Sequence, residues 1–230
     1  MMVCLSDLSR HYDTPAGRVL AVDRITVSIG SGERVALVGP SGCGKSTLLN
    51  LIAGLEKPSS GRVVVDGVDL ARLRGRRLNA HRRRSIGFVF QNDNLLPFLT
   101  AGENVALRLA LAGRADLMST VTDMLAALDL SSFVDQLPDR MSGGQRQRVA
   151  IAVALSHRPS LVLADEPTAA LDASTSRSAV DFLLAGELAA NATLVIATHD
   201  LAVAERFDSI IELRDGRIVS TSPDRTDPVR

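Results

Sequence analysis

Lys45 and the glycines before it are the residues whose types and spacing point most directly to chemistry. The stretch Gly39-Pro40-Ser41-Gly42-Cys43-Gly44-Lys45-Ser46-Thr47 fits the pattern G-x-x-x-x-G-K-[ST]. Glycines let successive N–H groups converge on one point without Cβ clashes. A helix N-terminus adds about half a positive charge at that point. Such a loop suits a phosphate chain: Lys45 can reach the β- and γ-phosphates, and the Ser46 hydroxyl can ligate Mg²⁺. With glycine at ~7% of residues, a chance match in a chain this long is on the order of 1%.

The flanking residues supply the elements this loop needs. Val35-Ala36-Leu37-Val38 is short and apolar throughout, as a strand buried on both faces should be. Leu48, Leu49, Leu51 and Ile52 follow at helical spacing. Three more apolar runs end in polar groups. Ile86-Gly87-Phe88-Val89-Phe90 ends at Gln91, Leu161-Val162-Leu163-Ala164 at Asp165-Glu166, and the run from Thr193 to Thr198 at His199-Asp200. An acid at the carboxyl edge of a parallel strand can hold Mg²⁺ through water, and a second beside it can polarise an attacking water. Two acids after a strand are equally an ordinary helix cap or turn. His199 shares the strand-edge position, which favours a functional reading over a structural one. Ser142-Gly143-Gly144-Gln145 opens a further helix carrying Val149, Ile151, Ala152 and Leu155. It repeats the device of the phosphate loop, small residues at a helix N-terminus, but on its own it is also a plain capped start.

The remaining chain frames these segments. Ile25, Val27 and Ile29 alternate with polar residues, a half-buried antiparallel pattern. Asp66-Gly67 and Asp215-Gly216 are hairpin turns. From Asn92 to about Arg158 the pattern turns helical. Thr100-Ala101-Gly102-Glu103 forms a capping box ahead of Val105, Leu107, Leu109 and Leu111, and Val121, Met124, Leu125, Leu128 and Leu130 form a second stripe that Pro138 ends. Seven arginines between 72 and 84 read first as a solvated helix, next as a membrane- or partner-facing one, and last as a nucleic-acid contact. Tyr12 sits in a polar neighbourhood, where a lone tyrosine is usually surface. The tail from Thr221 is polar and expected to fray.

Composition narrows the classes. The 230 residues are 46% hydrophobic with zero formal net charge, so no global field attracts nucleic acid or an anionic membrane. Aromatics are 3%, with no Trp, which argues against a base-stacking platform. Cys4 and Cys43 are the only cysteines, and Cys43 lies inside the phosphate loop, so the expectation is a reduced, cytosolic chain. No segment approaches ~18 consecutive apolar residues.

Taken in order, Tyr12, residues 39–47, Gln91, Met141-Ser142-Gly143-Gly144-Gln145, Asp165-Glu166, Ala169-Ala170-Leu171-Asp172 and His199 resemble the nucleotide-binding domain of an ABC (ATP-binding cassette) transporter. The Ser-Gly-Gly-Gln element is specific to that family. The resemblance implies an α/β P-loop fold over residues 1–220, with a mostly parallel core sheet and an N-terminal antiparallel β subdomain in 1–91 and 158–220. It implies an inserted helical subdomain at about 92–157 and leaves 221–230 as a polar tail. It implies ATP and Mg²⁺ as ligands. Tyr12 would stack on adenine, residues 39–47 would wrap the phosphates, and Ser46, Gln91 and Asp165 would meet the metal. Lys45 and Gln91 would assist catalysis, Glu166 would be the base and His199 would contact the γ-phosphate. Ser142 to Gln145 would close over ATP held by a second copy, with Asp172 near that interface. The partners implied are that second copy and an integral membrane permease, with no nucleic acid. The chain would then sit peripherally on the inner face of the cell membrane. Met141 stands where the family usually has Leu, a swap of similar size expected to matter little. Asn94-Leu95-Leu96-Pro97-Phe98-Leu99 and the residues to Val105 resemble the macrolide-efflux and lipoprotein-releasing branch. A polar amino-acid importer subunit and a nucleotide-gated interaction protein are the alternatives.

Overall fold

The computed structural model describes residues 1–15, 17–168, 179–184 and 192–222. The chain forms two compact units, Met1–Arg82 with Thr193–Arg230, and Arg83–Ala192.

In the first unit, β1 (Val3–Thr14) pairs antiparallel with β2 (Gly17–Ile29) and with β4 (Ser60–Val65), and β5 (Val68–Asp69) extends the sheet beyond β4. Ile25, Val27 and Ile29 are buried while Arg24 and Thr26 are exposed, so the period of two is realised on one covered face. A second set of strands surrounds β3 (Arg34–Val38). It runs parallel to β8 (Thr193–Thr198) on one side and to β9 (Ser209–Arg214) on the other, and β10 (Arg217–Ser222) closes back antiparallel on β9. Val35, Ala36 and Leu37 are 0–1% exposed, as a strand covered on both faces requires. Each fully buried Val or Leu contributes about 1.5–3 kcal/mol. β10 reaches Ser222, two residues into the segment expected to fray, because Thr221 and Ser222 pair with Ile211 and Ile210. The phosphate-loop helix α1 (Lys45–Ile52) buries Leu48, Leu49, Leu51 and Ile52. Helix α2 (Arg76–Ser85), whose last three residues fall in the second unit, carries the arginine-rich stretch and buries none of its residues.

In the second unit, β6 (Ile86–Val89) runs parallel to β7 (Leu161–Asp165), Val89 opposite Ala164. Helices α3 (Ala101–Ala112), α4 (Val121–Ala126) and α5 (Gly143–Leu155) enclose a core of Val105, Leu109, Met124, Leu125, Leu130 and Val149. The Thr100/Glu103 capping box forms with both of its hydrogen bonds. Leu107 and Leu111, expected on the same stripe, are 36% and 50% exposed, because the core-facing row is the i, i+4 pair Val105 and Leu109. The second stripe is one helix only as far as Ala126. Asp129 turns left-handed at φ 58°, and Leu128 and Leu130 are buried from the turn that follows.

A histidine is sealed inside this unit. His157 is 1% exposed, and its Nε2 lies 2.8 Å from Nη2 of Arg108, which also donates to the Ile86 carbonyl at 2.9 Å. A guanidinium only donates, so Nε2 accepts and the ring is neutral with its proton on Nδ1. Burial, reinforced by the Arg108 charge, pushes His157 down to about 3; burial also lowers Arg108 to about 10. Among the described residues, no helix is long and apolar enough to cross a membrane.

Candidate functional site

The phosphate loop is built by backbone crowding from three directions. A Cβ on Gly39 would lie 2.2 Å from the Leu213 carbonyl oxygen and 2.7 Å from Cys43 Sγ. One on Gly44 would lie 2.1 Å from the Ala21 carbonyl oxygen, and Gly44 holds φ +105°. Only glycine fits either place. The tip of the β9–β10 hairpin braces the loop from outside. The Gly216 N–H donates to the Cys43 carbonyl at 3.0 Å, and the Asp23 N–H donates to the Gly216 carbonyl at 2.8 Å. Arg217 Nε donates to the Asp23 carboxylate at 2.6 Å and holds that carboxyl below its ordinary range. Residues 21–23 and 213–217 therefore position the loop, although the sequence marks only the Asp215-Gly216 turn among them.

No side chain caps the N-terminus of α1, so its first turn faces whatever the loop holds. Lys45 is 6% exposed, and its Nζ donates to the carbonyls of Gly39 at 2.8 Å and Pro40 at 3.2 Å. The ammonium is folded over the loop it would share with a phosphate. Ser46 is exposed at the same helix start.

His199 reaches this place by strand register. Val38 pairs with Thr198, so Gly39 and His199 each leave the same sheet edge one residue beyond a bonded pair. Neighbouring strands lie about 4.8 Å apart. His199 is exposed, and Asp200 behind it caps the short helix Leu201–Ala204. Tyr12 enters through β2: it pairs with Val19, two residues from the Ala21 carbonyl that touches Gly44. It is half-buried rather than exposed. Its hydroxyl donates to Glu56, and the Arg10 guanidinium lies 4.5 Å over its ring.

The second unit holds the other candidates. Because Val89 pairs with Ala164, Asp165 and Gln91 leave one edge of the β6–β7 pair, one and two residues beyond it. Glu166 holds φ 46°, a left-handed conformation uncommon outside glycine and costing on the order of 1 kcal/mol or more. Ser142 caps α5: its Oγ accepts from the Gln145 N–H at 3.2 Å, and Gln145 Oε1 accepts from the Ser142 N–H at 2.8 Å. Ser142 is exposed, and Gly143 to Gln145 are half-buried. The next turn of α5 grips the loop that carries Gln91. Arg146 Nε donates to Asp93 at 2.7 Å, and buried Gln147 donates to the Phe90 carbonyl at 3.4 Å. These two residues follow the Ser-Gly-Gly-Gln element directly, the only signal by which sequence could have singled them out. Met141 is 5% exposed within the apolar core, consistent with its filling a leucine's place. Asp172 lies outside the described residues.

Among the described residues, no three His, Cys, Asp or Glu side chains form a cluster able to hold a metal. The candidate donors Ser46, Gln91 and Asp165 offer hydroxyl, amide and carboxylate oxygens. That set suits Mg²⁺, which is held by one or two carboxylates together with substrate phosphates rather than by an all-protein cage.

Residues 22–169 match the family model described as ABC transporter. The chain is 42% identical over 213 residues to a lipoprotein-releasing system ATP-binding protein, LolD, of Legionella pneumophila, covering 92% of this chain and 94% of that one. It is 42% identical over 224 residues to the macrolide export ATP-binding/permease protein MacB of Hyphomonas neptunium, covering 96% of this chain but only 34% of that protein. A solved dimeric post-hydrolysis state of the ATP-binding cassette MJ0796, bound to ADP and Pi, superposes with a TM-score of 0.89 at 37% identity, covering 99% of this chain and 100% of that one. With its phosphate loop, strand-edge acids and Ser-Gly-Gly-Gln helix start, the chain belongs to the ABC transporter family.

Proposed function

We propose that two copies of this chain close around two ATP molecules and that hydrolysis lets them part, driving a separate membrane permease. The observation that carries this reading is the pair of helix starts suited to an anion. One, at α1, is uncapped behind a glycine loop with Lys45 laid across it; the other, at α5, is exposed and held in shape by its own Ser142/Gln145 box. The first would hold the phosphates of one copy's ATP. The second would close on the γ-phosphate of its partner's. A contact shared by both chains exists only while that phosphate is attached, so its cleavage removes the bond between them.

The residues divide the chemistry as follows. Backbone N–H groups of 39–47 and Lys45 neutralise phosphate charge, and Tyr12 supports the adenine. Ser46, Gln91 and Asp165 hold Mg²⁺, which when bound spreads the charge of the β- and γ-phosphates. Glu166 accepts the proton of the attacking water, and His199 steadies the γ-phosphate. Asp172 belongs near the dimer seam. The helical part of the second unit couples to the permease, which places the chain against the inner face of the membrane. Its likeness to LolD and MacB proteins supports a permease of the efflux or lipoprotein-releasing kind.

Glu166→Gln tests this reading. A positioned general base is worth about 10²–10⁴-fold in rate, so turnover should fall at least a hundredfold. The variant should elute as a dimer with Mg-ATP and as a monomer with Mg-ADP. Turnover near that of the parent would refute the base assignment, and a monomer under every nucleotide condition would refute the dimer.

A further inference from the structure

We infer that helix α2 and the cleft at its N-terminal end form a docking site for an acidic peptide segment of a partner protein, one carrying an apolar anchor residue.

The charge on α2 is unbalanced. Arg72, Arg74, Arg76, Arg77, Arg82, Arg83 and Arg84 occur with no Asp or Glu anywhere from 70 to 92, in a chain whose net charge is zero. Of the acids nearby, Asp69 takes both Arg62, at 2.8 Å, and Arg72, at 3.4 Å, Glu56 takes Arg10, Tyr12 and Asn50, and Asp66 acts on His81 of the same helix rather than on its arginines. Among the described residues, no carboxylate pairs with Arg74, Arg76, Arg77, Arg83 or Arg84. At about 100° per residue, Arg76, Arg77, Arg83 and Arg84 share one face, two helical turns separating the pairs. All four are exposed. The opposite face holds the helix down through Leu78 and through Arg82, which donates to the Gly54 carbonyl at 3.1 Å. Four like charges held together repel one another, and an anionic partner relieves that cost.

The cleft identifies the kind of anion. A cavity of about 310 Å³ opens between the end of α1, the turn at 57–61 and the start of α2; Leu51, Val63, Leu70, Leu73 and Leu78 line it, with Arg74 at its edge. That is room for a bulky apolar side chain beside a guanidinium, the pairing of anchor and charge that a peptide supplies. The free face of α2 offers only Asn79 and Ala80 between its arginines. A helix that lies in a bilayer needs bulky apolar residues on that side. No Phe, Tyr or Trp lies between 70 and 85 to stack on a base, and His81 is half-buried.

The test uses the full chain and a fluorescein-labelled peptide of about a dozen residues, in which a central Leu-Leu pair is flanked by Glu. Fluorescence anisotropy should report binding that weakens at least tenfold between about 50 and 300 mM salt, as exposed charges are screened. R76E/R77E/R83E/R84E should abolish binding, and Ala71→Trp, which fills the cleft from an exposed position, should weaken it several-fold. R83E/R84E alone should reduce binding at least fivefold, should the larger set of changes unfold the helix. ATP turnover should stay within twofold in every folded variant, which separates this site from the nucleotide site. Three results would overturn the inference: no binding by the Glu-Leu peptide, equal binding after its Leu-Leu pair becomes Ser-Ser, or tighter binding to anionic phospholipid vesicles or duplex DNA.

Discussion

Replacing Gly44 by alanine measures how tightly the phosphate loop is built, and the structure sets the size of the effect. Gly44 holds φ +105°, and a left-handed conformation costs an L-residue about 1–2 kcal/mol. The added Cβ would also lie 2.1 Å from the Ala21 carbonyl oxygen and 3.3 Å from its carbon. That carbonyl is backbone of β2, flanked by residues paired to β1, so it cannot swing aside as a side-chain end could. Forced overpacking of this kind costs about 1–3 kcal/mol. The sum is about 2–5 kcal/mol, and at about 2–4 °C per kcal/mol the melting temperature should fall by roughly 4–20 °C. The displaced loop amides should also lower Mg-ATP affinity more than tenfold, about 1.4 kcal/mol. Gly32→Ala supplies the comparison. Its φ is +78°, but nothing lies within 4 Å of the new Cβ, so only the backbone cost applies. It should melt a few degrees lower and bind Mg-ATP as the parent does. Thermal melting and titration with a fluorescent ATP analogue read both quantities. If Gly44→Ala melts no lower than Gly32→Ala and binds nucleotide normally, the crowding argument for this loop is wrong.

Asp23→Ala should raise the KM for ATP several-fold with a smaller change in kcat, since it loosens the hairpin brace and touches no reacting atom; steady-state kinetics will show the split. Because Arg217 holds the Asp23 carboxyl below its ordinary value, its stabilising contribution is present above the unfolded carboxylate pKa. It is lost as pH falls through the lower folded value, so the melting difference between parent and Asp23→Asn should shrink as pH falls below about 4. A double-mutant cycle of Arg146→Ala and Asp93→Ala should give a coupling of about 1 kcal/mol or less by chemical denaturation, because both side chains are about a third exposed. Each single variant should slow ATP turnover; independent, additive effects would show that the Arg146–Asp93 pair does not hold the Gln91 loop. His157 is neutral in the fold and charges only near about 3, whereas the unfolded chain takes up a proton near its ordinary pKa of 6.5. The unfolded state therefore binds more protons below pH 6.5, and stability should fall on acidification by up to about 1.4 kcal/mol per pH unit. His157→Gln should flatten that slope in melts taken between about pH 6.5 and 4.

The phosphate loop of this chain was legible because it is local. A phosphate loop needs its glycines, its lysine and its flanking strand and helix within about 20 consecutive residues, and each leaves a mark in composition or spacing. The strand-edge residues Gln91, Asp165, Glu166 and His199 were legible for the same reason, each standing at or just past the end of an apolar run. What the sequence could not show is what holds those parts still. Arg217 meets Asp23 across 194 residues, and Arg146 meets Asp93 across 53. Neither pair has a spacing rule, because the chain between the partners passes through several other elements. The end of α4 at Ala126 was hidden in a similar way. The apolar stripe continues past it to Leu128 and Leu130, since burial selects apolar residues whether the backbone beneath them is helix or turn. Residue type and local period thus marked which groups are candidates to bind a phosphate chain. Tertiary pairing, in which distant backbone groups must find partners once water is excluded, decided how rigidly each group is held.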